Sequence, residues 1–316
     1  MKRFLLLLAA LLPCFSGYSQ EITLVTRAEY SNMEDEHLAN SSFYALIDGN
    51  FTDCLSYSVS THLLSSAPGD LYAYTWHSDS ANWLDWANLT YDFGRFRCTL
   101  GKNFMLVGTF ESQEYDFDSY FETASLFWGN QSDISPIALD NVYLWGGSVE
   151  FDLSETVYGS IQVSSSPYNV RPFDDGLFAY SVILGKEAAE DEWFNALVSF
   201  NFVQAEPDSF KKLQFAGVSA AFDSFTVTLD EGAELGADSN IALNAKASYD
   251  FSPKWTVGVN AGYESGLYGP CAQRRQCGLL LNWKPLESLR AHALVSYDSL
   301  LDNVLFNFGL TWKLAL

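Results

Sequence analysis

A chain of 316 residues with 39 Asp and Glu against 17 Lys and Arg carries a formal charge of −22, which disfavours nucleic acid and anionic surfaces as partners. Aromatic residues make up 16% of it, too large a share for a disordered acidic segment. Beyond the N-terminus no uncharged apolar run approaches the ~20 residues of a membrane-spanning helix, so an inner-membrane helical protein is disfavoured as well.

Residues 1 to 19 read as a secretory signal peptide. Lys2 and Arg3 precede the apolar run Phe4 to Leu12, and the small residues Gly17 and Ser19 offer a cleavage site before Gln20. Cys14 raises a lipoprotein alternative, against which Pro13 stands where a small residue would precede a lipidated cysteine. Residues 20 to 316 are then the mature domain.

Sixteen strands are predicted in it, over 21–31, 41–52, 54–64, 83–94, 95–107, 142–153, 155–165, 175–186, 191–203, 208–221, 223–234, 239–250, 253–264, 273–284, 288–299 and 304–316. The last is the clearest. Val304, Phe306, Phe308, Leu310, Trp312, Leu314 and Leu316 alternate with Leu305, Asn307, Gly309, Thr311, Lys313 and Ala315. Aromatics at strand ends, apolar residues between them and a polar opposite phase are the signature of a transmembrane antiparallel β-barrel, with lipid on one side and water on the other. The segments 31–60 and 205–235 are less periodic, so fourteen or eighteen strands stay open. Connections after even strands are mostly tight, as in Phe93-Gly94-Arg95, Leu153-Ser154-Glu155 and Phe222-Asp223-Ser224, whereas 65–82 and 108–141 follow odd strands and are long. Bacterial barrels have short periplasmic turns and longer outer loops, and sixteen strands leave an aqueous channel rather than a filled interior.

The third outer connection contains Glu111, Glu114, Asp116, Asp118, Glu122 and Asp133 with no Lys or Arg, interleaved with Phe110, Tyr115, Phe117, Tyr120, Phe121, Phe127 and Trp128. So many aromatics are unfavourable in water. Folding the loop into the barrel would bury them, narrow the pore and set acids beside it; the alternative is a solvated outer surface bridged by divalent cations. A calcium site at Asp116, Asp118 and Glu122 lacks the spacing of an EF-hand loop, and neither metal nor cofactor is expected. On the lumen phase Arg27, Arg95, Arg97, Lys246, Arg290 and Lys313 nearly balance Glu29, Asp85, Glu150, Asp152, Asp250 and Glu264. Lys102 falls on the lipid phase, which places it at a rim, where it can snorkel, or at a bulge that shifts the register.

Of the cysteines, Cys271 and Cys277 could close a small disulfide loop around Arg274 and Arg275, while Cys54 and Cys98 read as small apolar wall residues. Lipid-hydrolase chemistry would need a serine and a histidine together at the lipid face. Among His37, His62, His77 and His292, only His292 lies in a regularly alternating strand on its polar phase, with Ser296 four residues along on the same face, and that face looks into the lumen.

The stretch Leu84-Asp85-Trp86-Ala87-Asn88-Leu89-Thr90-Tyr91-Asp92-Phe93-Gly94, followed by Thr99-Leu100-Gly101-Lys102 and Gly108-Thr109-Phe110-Glu111, resembles the phosphate-selective porin O and P family in its Bacteroidetes-type form. So do Tyr115-Asp116-Phe117-Asp118 with Phe127-Trp128-Gly129-Asn130, and Ser165-Ser166-Pro167-Tyr168 with Arg171-Pro172-Phe173. The resemblance implies a sixteen-stranded porin of a Gram-negative outer membrane, commonly a homotrimer, with the third loop folded inward. Phosphate-specific members line the pore with a ladder of arginines and lysines; here the wall charges nearly cancel and the acidic loop tips the balance, so cation preference or weak selectivity is expected. The function this predicts is passive diffusion of small hydrophilic solutes or ions. The alternative is a non-conducting barrel that uses Trp- and Tyr-rich loops for surface binding or assembly.

Overall fold

The computed structural model describes residues 20–32, 42–64, 84–114, 118, 120, 121, 123, 126, 137, 143–169, 172–189, 192–236, 240–266, 273–300 and 302–316. The signal peptide expected over 1–19 lies outside them. Sixteen strands follow one another in chain order: β1 (Gln20–Ser31), β2 (Ser42–Thr52), β3 (Leu55–Leu64), β4 (Leu84–Asp92), β5 (Phe96–Phe104), β6 (Tyr143–Asp152), β7 (Val157–Ser165), β8 (Phe178–Lys186), β9 (Phe194–Glu206), β10 (Ser209–Phe222), β11 (Phe225–Glu234), β12 (Ile241–Ser252), β13 (Trp255–Ser265), β14 (Gln273–Leu286), β15 (Leu289–Asp298) and β16 (Asn303–Ala315). Every one coincides with a predicted span to within a few residues. Each pairs antiparallel with its sequence neighbours, and β1 closes the barrel against β16, with Arg27 opposite Thr311 and Glu29 opposite Gly309. The closure extends to the final residue, whose N–H donates to the Ile22 carbonyl at 2.8 Å. No strand edge is left to meet lipid, which cannot satisfy unpaired backbone groups.

Strict alternation assigns the two faces. Along β16, Phe306, Phe308, Leu310, Trp312 and Leu314 are exposed on the outer surface while Leu305 and Thr311 are buried. Aromatics gather at the end of the barrel that carries the short connections: Trp255 stacks on Trp283 (5.7 Å) and Phe251 (6.2 Å), and Trp193 on Phe222 (4.9 Å). Amphipathic rings favour that boundary between hydrocarbon and headgroup. The tight turn between β10 and β11 holds Asp223 at φ +50°, a left-handed conformation that two-residue hairpin loops demand.

The structure alters three placements. Arg95 sits in the exposed connection between β4 and β5 rather than on the lumen wall, and Cys54 sits in the exposed β2–β3 turn rather than in a strand. Asp85 leaves the lumen phase, which Trp86 and Asn88 occupy. It is buried at a register irregularity between Ser60 and Thr61, accepts a hydrogen bond from Ser60 Oγ (2.9 Å) and lies beside Lys102. Lys102 takes the rim alternative: its ammonium donates to the carbonyl of Leu84, the first residue of β4, with no register shift on β5. Cys98 is a wall residue as predicted, whereas Cys271 lies outside the described residues, as do His37 and His77.

The face assignment is tested by charge. Val259→Lys, on the lipid side of β13, is expected to cost about 2–4 kcal/mol of stability in denaturant titrations from lipid vesicles. Thr226→Lys, on the lumen side of β11, should stay within about 0.5 kcal/mol.

Candidate functional site

The inside of the barrel is built from the alternate phase of each strand and from the segment that follows β5. Past Phe104 the chain leaves the wall and turns inward. Leu106 N–H donates to Gln162 Oε1 (3.0 Å) on β7, and Asn201 Nδ2 on β9 donates to the Leu106 carbonyl (2.7 Å). At Gly108 the backbone presses on β9: its N–H reaches Ser199 Oγ at 2.9 Å, and a Cβ there would come within 2.5 Å of the Ser199 nitrogen. Only glycine permits that approach. Beneath the segment, Met105, Val107, Leu126 and Ile137 pack with the wall residues Leu144, Ala179, Val203 and Leu213 in an apolar cluster. The hydrophobic effect thus holds the loop against the β6–β12 side.

Charged and polar groups fix the rest of its course. Asp230 on β11 accepts the N–H groups of Phe110 (2.8 Å) and Glu111 (2.9 Å) at the start of a short 3₁₀ turn, Glu111–Gln113. Glu111 is fully buried; its carboxylate accepts from the Thr123 N–H (2.6 Å), Thr123 Oγ1 (3.2 Å) and Asn244 Nδ2 (2.5 Å). Burial pushes its pKa up to about 8, against the pull of the nearby Lys246 ammonium and the Thr123 N–H, so near neutral pH this acid is mostly uncharged. Glu114 pairs with Lys246 at 2.9 Å. Farther along, the ring of Phe121 seats on Gly278 of β14, where a Cβ would collide at 2.0 Å.

Across the lumen the loop meets β15, β16 and β1. Asp118 bridges Arg290 (2.9 Å) and Lys313 (2.8 Å). Tyr120 accepts from Arg290 (3.4 Å), packs on the His292 ring at 4.6 Å and lies under the Arg27 guanidinium, 5.0 Å from its centroid. Burial raises the Tyr120 phenol above its ordinary range, although Arg290 and Arg27 oppose it. Arg27 and Glu29 form a buried pair beside the Tyr120 contact, and Glu29 also meets His292 Nε2 (3.1 Å) and Asn307 Nδ2 (2.7 Å). His292 therefore directs Nε2 to Glu29 and Asn307, not to Ser296.

Most of the predicted site residues thus meet one another in pairs. Glu111, Glu114 and Asp118 of the loop come together with Lys246, Arg290 and Lys313 of the wall, and Arg27 with Glu29. Glu150 pairs with Arg97 near the opposite rim, where Arg97 also approaches Asp152 at 3.6 Å. Asp116 and Glu122, and with them the calcium alternative, lie outside the described residues; among those, no cluster of acids, histidines and cysteines is arranged to hold a metal ion. Of the loop acids among the described residues, Glu111 is buried and largely neutral, and Glu114 and Asp118 are matched by wall cations; Asp133 also lies outside the described residues.

Two groups escaped sequence reasoning. Asp230, Asn244 and Asn260 form the wall cradle for the loop, with Asn260 Nδ2 bonded to Asn244 Oδ1; their only sequence signal is a lumen-phase polar residue. Glu21 and Asp48, opposite each other in the β1–β2 register, line a cavity of about 530 Å³ with Asn50, Ser56 and Thr90. A second cavity, of about 470 Å³, lies between the loop and β3–β8. The two share Ser58 and Asn88 and are stations on one wall, and no Lys or Arg lines either among the described residues.

No family model and no curated protein matches this chain. Solved structures do. The outer membrane channel DcaP of Acinetobacter baumannii superposes with a TM-score of 0.63 at 9% identity, covering 95% of this chain and 98% of that one. A mutant of the porin of Rh. blastica gives 0.62 at 11%, with 94% and 100% covered. The trimer form of OmpT, an outer membrane protein of Vibrio cholerae, gives 0.58 at 12%, with 95% and 99% covered. The chain therefore has the fold of porin-type outer-membrane β-barrels.

Glu111 makes loop docking depend on pH. A carboxyl whose pKa rises to about 8 on docking stabilises the docked state fully below the ordinary carboxylate range, and that contribution is lost as pH climbs through about 8. Hydrogen-exchange protection of the amides 106–114 should fall several-fold between about pH 6 and pH 9 beyond the intrinsic base catalysis, and Glu111→Gln should flatten that dependence. Asp118→Ala should release Arg290 and Lys313, shift selectivity toward anions and raise open-channel current noise at least twofold, as read in planar bilayers.

Proposed function

We propose that the protein is an outer-membrane channel through which small hydrophilic solutes and ions pass passively, narrowed by the segment after β5, with preference for cations and neutral solutes over anions. The observation that carries this reading is the distribution of charge along the open side of the lumen. The wall cations Lys246, Arg290 and Lys313 are matched by loop carboxylates, while the remaining space is bordered by Glu21 and Asp48 and, farther along, by Glu150 paired with Arg97. Carboxylate-lined passages favour cations, and a phosphate would need a multi-site track of arginines and lysines. The phosphate preference implied by the porin O and P resemblance is therefore not part of the proposal.

The outer surface supports a lipid-facing location: an apolar band of Leu, Val and Phe ends in aromatic rings. A homotrimer is proposed by analogy with the trimer form of OmpT. Solutes would move down their gradients with no cofactor and no bond made or broken.

The deciding measurement is the zero-current potential of the refolded protein in a planar bilayer across a tenfold KCl gradient, repeated with phosphate replacing chloride. A cation-signed potential is expected in both, and the double substitution Glu21→Lys with Asp48→Lys should move it toward the anion side. An anion-signed potential that strengthens in phosphate would overturn the charge reading. Absence of conductance would sink the channel reading in favour of a binding or assembly barrel.

A further inference from the structure

The cavity between the loop and β3–β8 is unusual in what borders it. Three aromatic rings, Trp86, Phe104 and Tyr143, meet there, and Tyr158 lines the cavity farther along the wall. Trp86 is fixed by a hydrogen bond from Nε1 to Ser58 Oγ at 2.7 Å, which sets the plane of the indole. Tyr143 ties the group together, with its ring 6.0 Å from Trp86 and 5.6 Å from Phe104, the latter edge-on.

Around the rings stand groups of a different kind. The carboxamides of Asn88 and Gln113 line the cavity with no side-chain partner among the described residues; Glu114, paired with Lys246, and Glu150, paired with Arg97 toward the opposite rim, add carboxylate oxygens. A carboxamide offers both donors and acceptors, and a carboxylate offers acceptors only. No Lys or Arg lines the space among the described residues, and the two at its margin, Lys246 and Arg97, are held by Glu114 and Glu150, so a phosphate, a carboxylate or the acid end of an amino acid finds no unpaired counter-charge there. A molecule that suits this border has apolar C–H faces for the rings, neighbouring hydroxyls for amides and carboxylates, and no negative charge. That is the chemistry of a neutral saccharide.

Resting on the channel reading above, we propose that the rings Trp86, Phe104 and Tyr143 with the carboxamides Asn88 and Gln113 form a binding station for neutral mono- and disaccharides on their way through the lumen. The volume, about 470 Å³, is within the ~300–1,000 Å³ of small-molecule sites. The station opens onto the second cavity through the shared residues Ser58 and Asn88, where further hydroxyls and amides continue down β2–β4. Affinity should be weak, because a conducting site must release what it binds.

The test uses the full refolded chain in planar bilayers, with maltose and lactose as probes, sorbitol as a polyol without a ring face, and inorganic phosphate as the anionic control. Disaccharide is expected to reduce open-channel KCl current saturably, with half-block in the millimolar range, and sorbitol only in proportion to viscosity. Each variant is read as blocked over open current, so changes in conductance do not enter. Trp86→Ala should raise the half-block concentration at least fivefold and Asn88→Leu at least threefold. A disaccharide effect equal to that of sorbitol, an unchanged half-block in Trp86→Ala, or saturable block by phosphate in place of sugar would each overturn the proposal. Absence of current in the unsubstituted protein would fail the channel reading instead. The station would then be decided by a disaccharide-dependent change in tryptophan fluorescence: its loss in Trp86→Phe supports the station, and no such change overturns it.

Discussion

Hydrocarbon offers no partner for a backbone N–H or C=O, and that constraint organises everything else in this molecule. The chain answers it by running sixteen consecutive antiparallel pairings and then joining β16 to β1. Once the sheet closes, every strand has one face toward lipid and one toward the lumen, and the period-two sequence pattern becomes a partition between oil and water. The exposed Phe306, Phe308 and Leu310 and the buried Thr311 of a single strand are that partition in miniature.

A closed barrel of this size encloses more space than its wall side chains fill, and the segment after β5 occupies part of it by two different forces. Apolar residues Met105, Val107, Leu126 and Ile137 hold one side of the loop to the wall. Ion pairs and charge-assisted hydrogen bonds reach across to Lys246, Arg290 and Lys313. Partly buried pairs of this kind are poor sources of net stability, since desolvation offsets much of the attraction, but breaking one leaves an uncompensated charge. Their effect here is positional: they set where the loop lies and remove the wall cations from the passage.

The remaining open space consequently has a chemistry that neither the wall nor the loop has alone. The wall supplies Asn88, Ser58, Glu21 and Asp48, the loop supplies Gln113 and Glu114, and the rings of Trp86 and Tyr143 stand between them. Net charge of the chain is a poor guide to that border. Fully buried Glu111 contributes little charge near neutral pH, whereas two acids facing each other on β1 and β2 contribute at the mouth.

Much of this was legible in the sequence because hydrophobic alternation is a local signal. Strand spans and the lumen phase of Arg27, Glu29, Lys246, Arg290 and Lys313 follow from residues two apart along the chain, and the short and long ends of the barrel from the spacing between strands, while barrel closure settled sixteen strands against the fourteen or eighteen left open. The exceptions lie where alternation stops: Arg95 and Cys54 at turns, and Asp85 at a register irregularity between β3 and β4. Which acid meets which base was not legible. Asp118 and Lys313 are 195 positions apart and Glu111 and Asn244 are 133 apart, and nothing local links them. Barrel closure and the inward turn of the loop bring such groups together, so pairing, neutralisation and the composition of the passage were decided by tertiary structure alone.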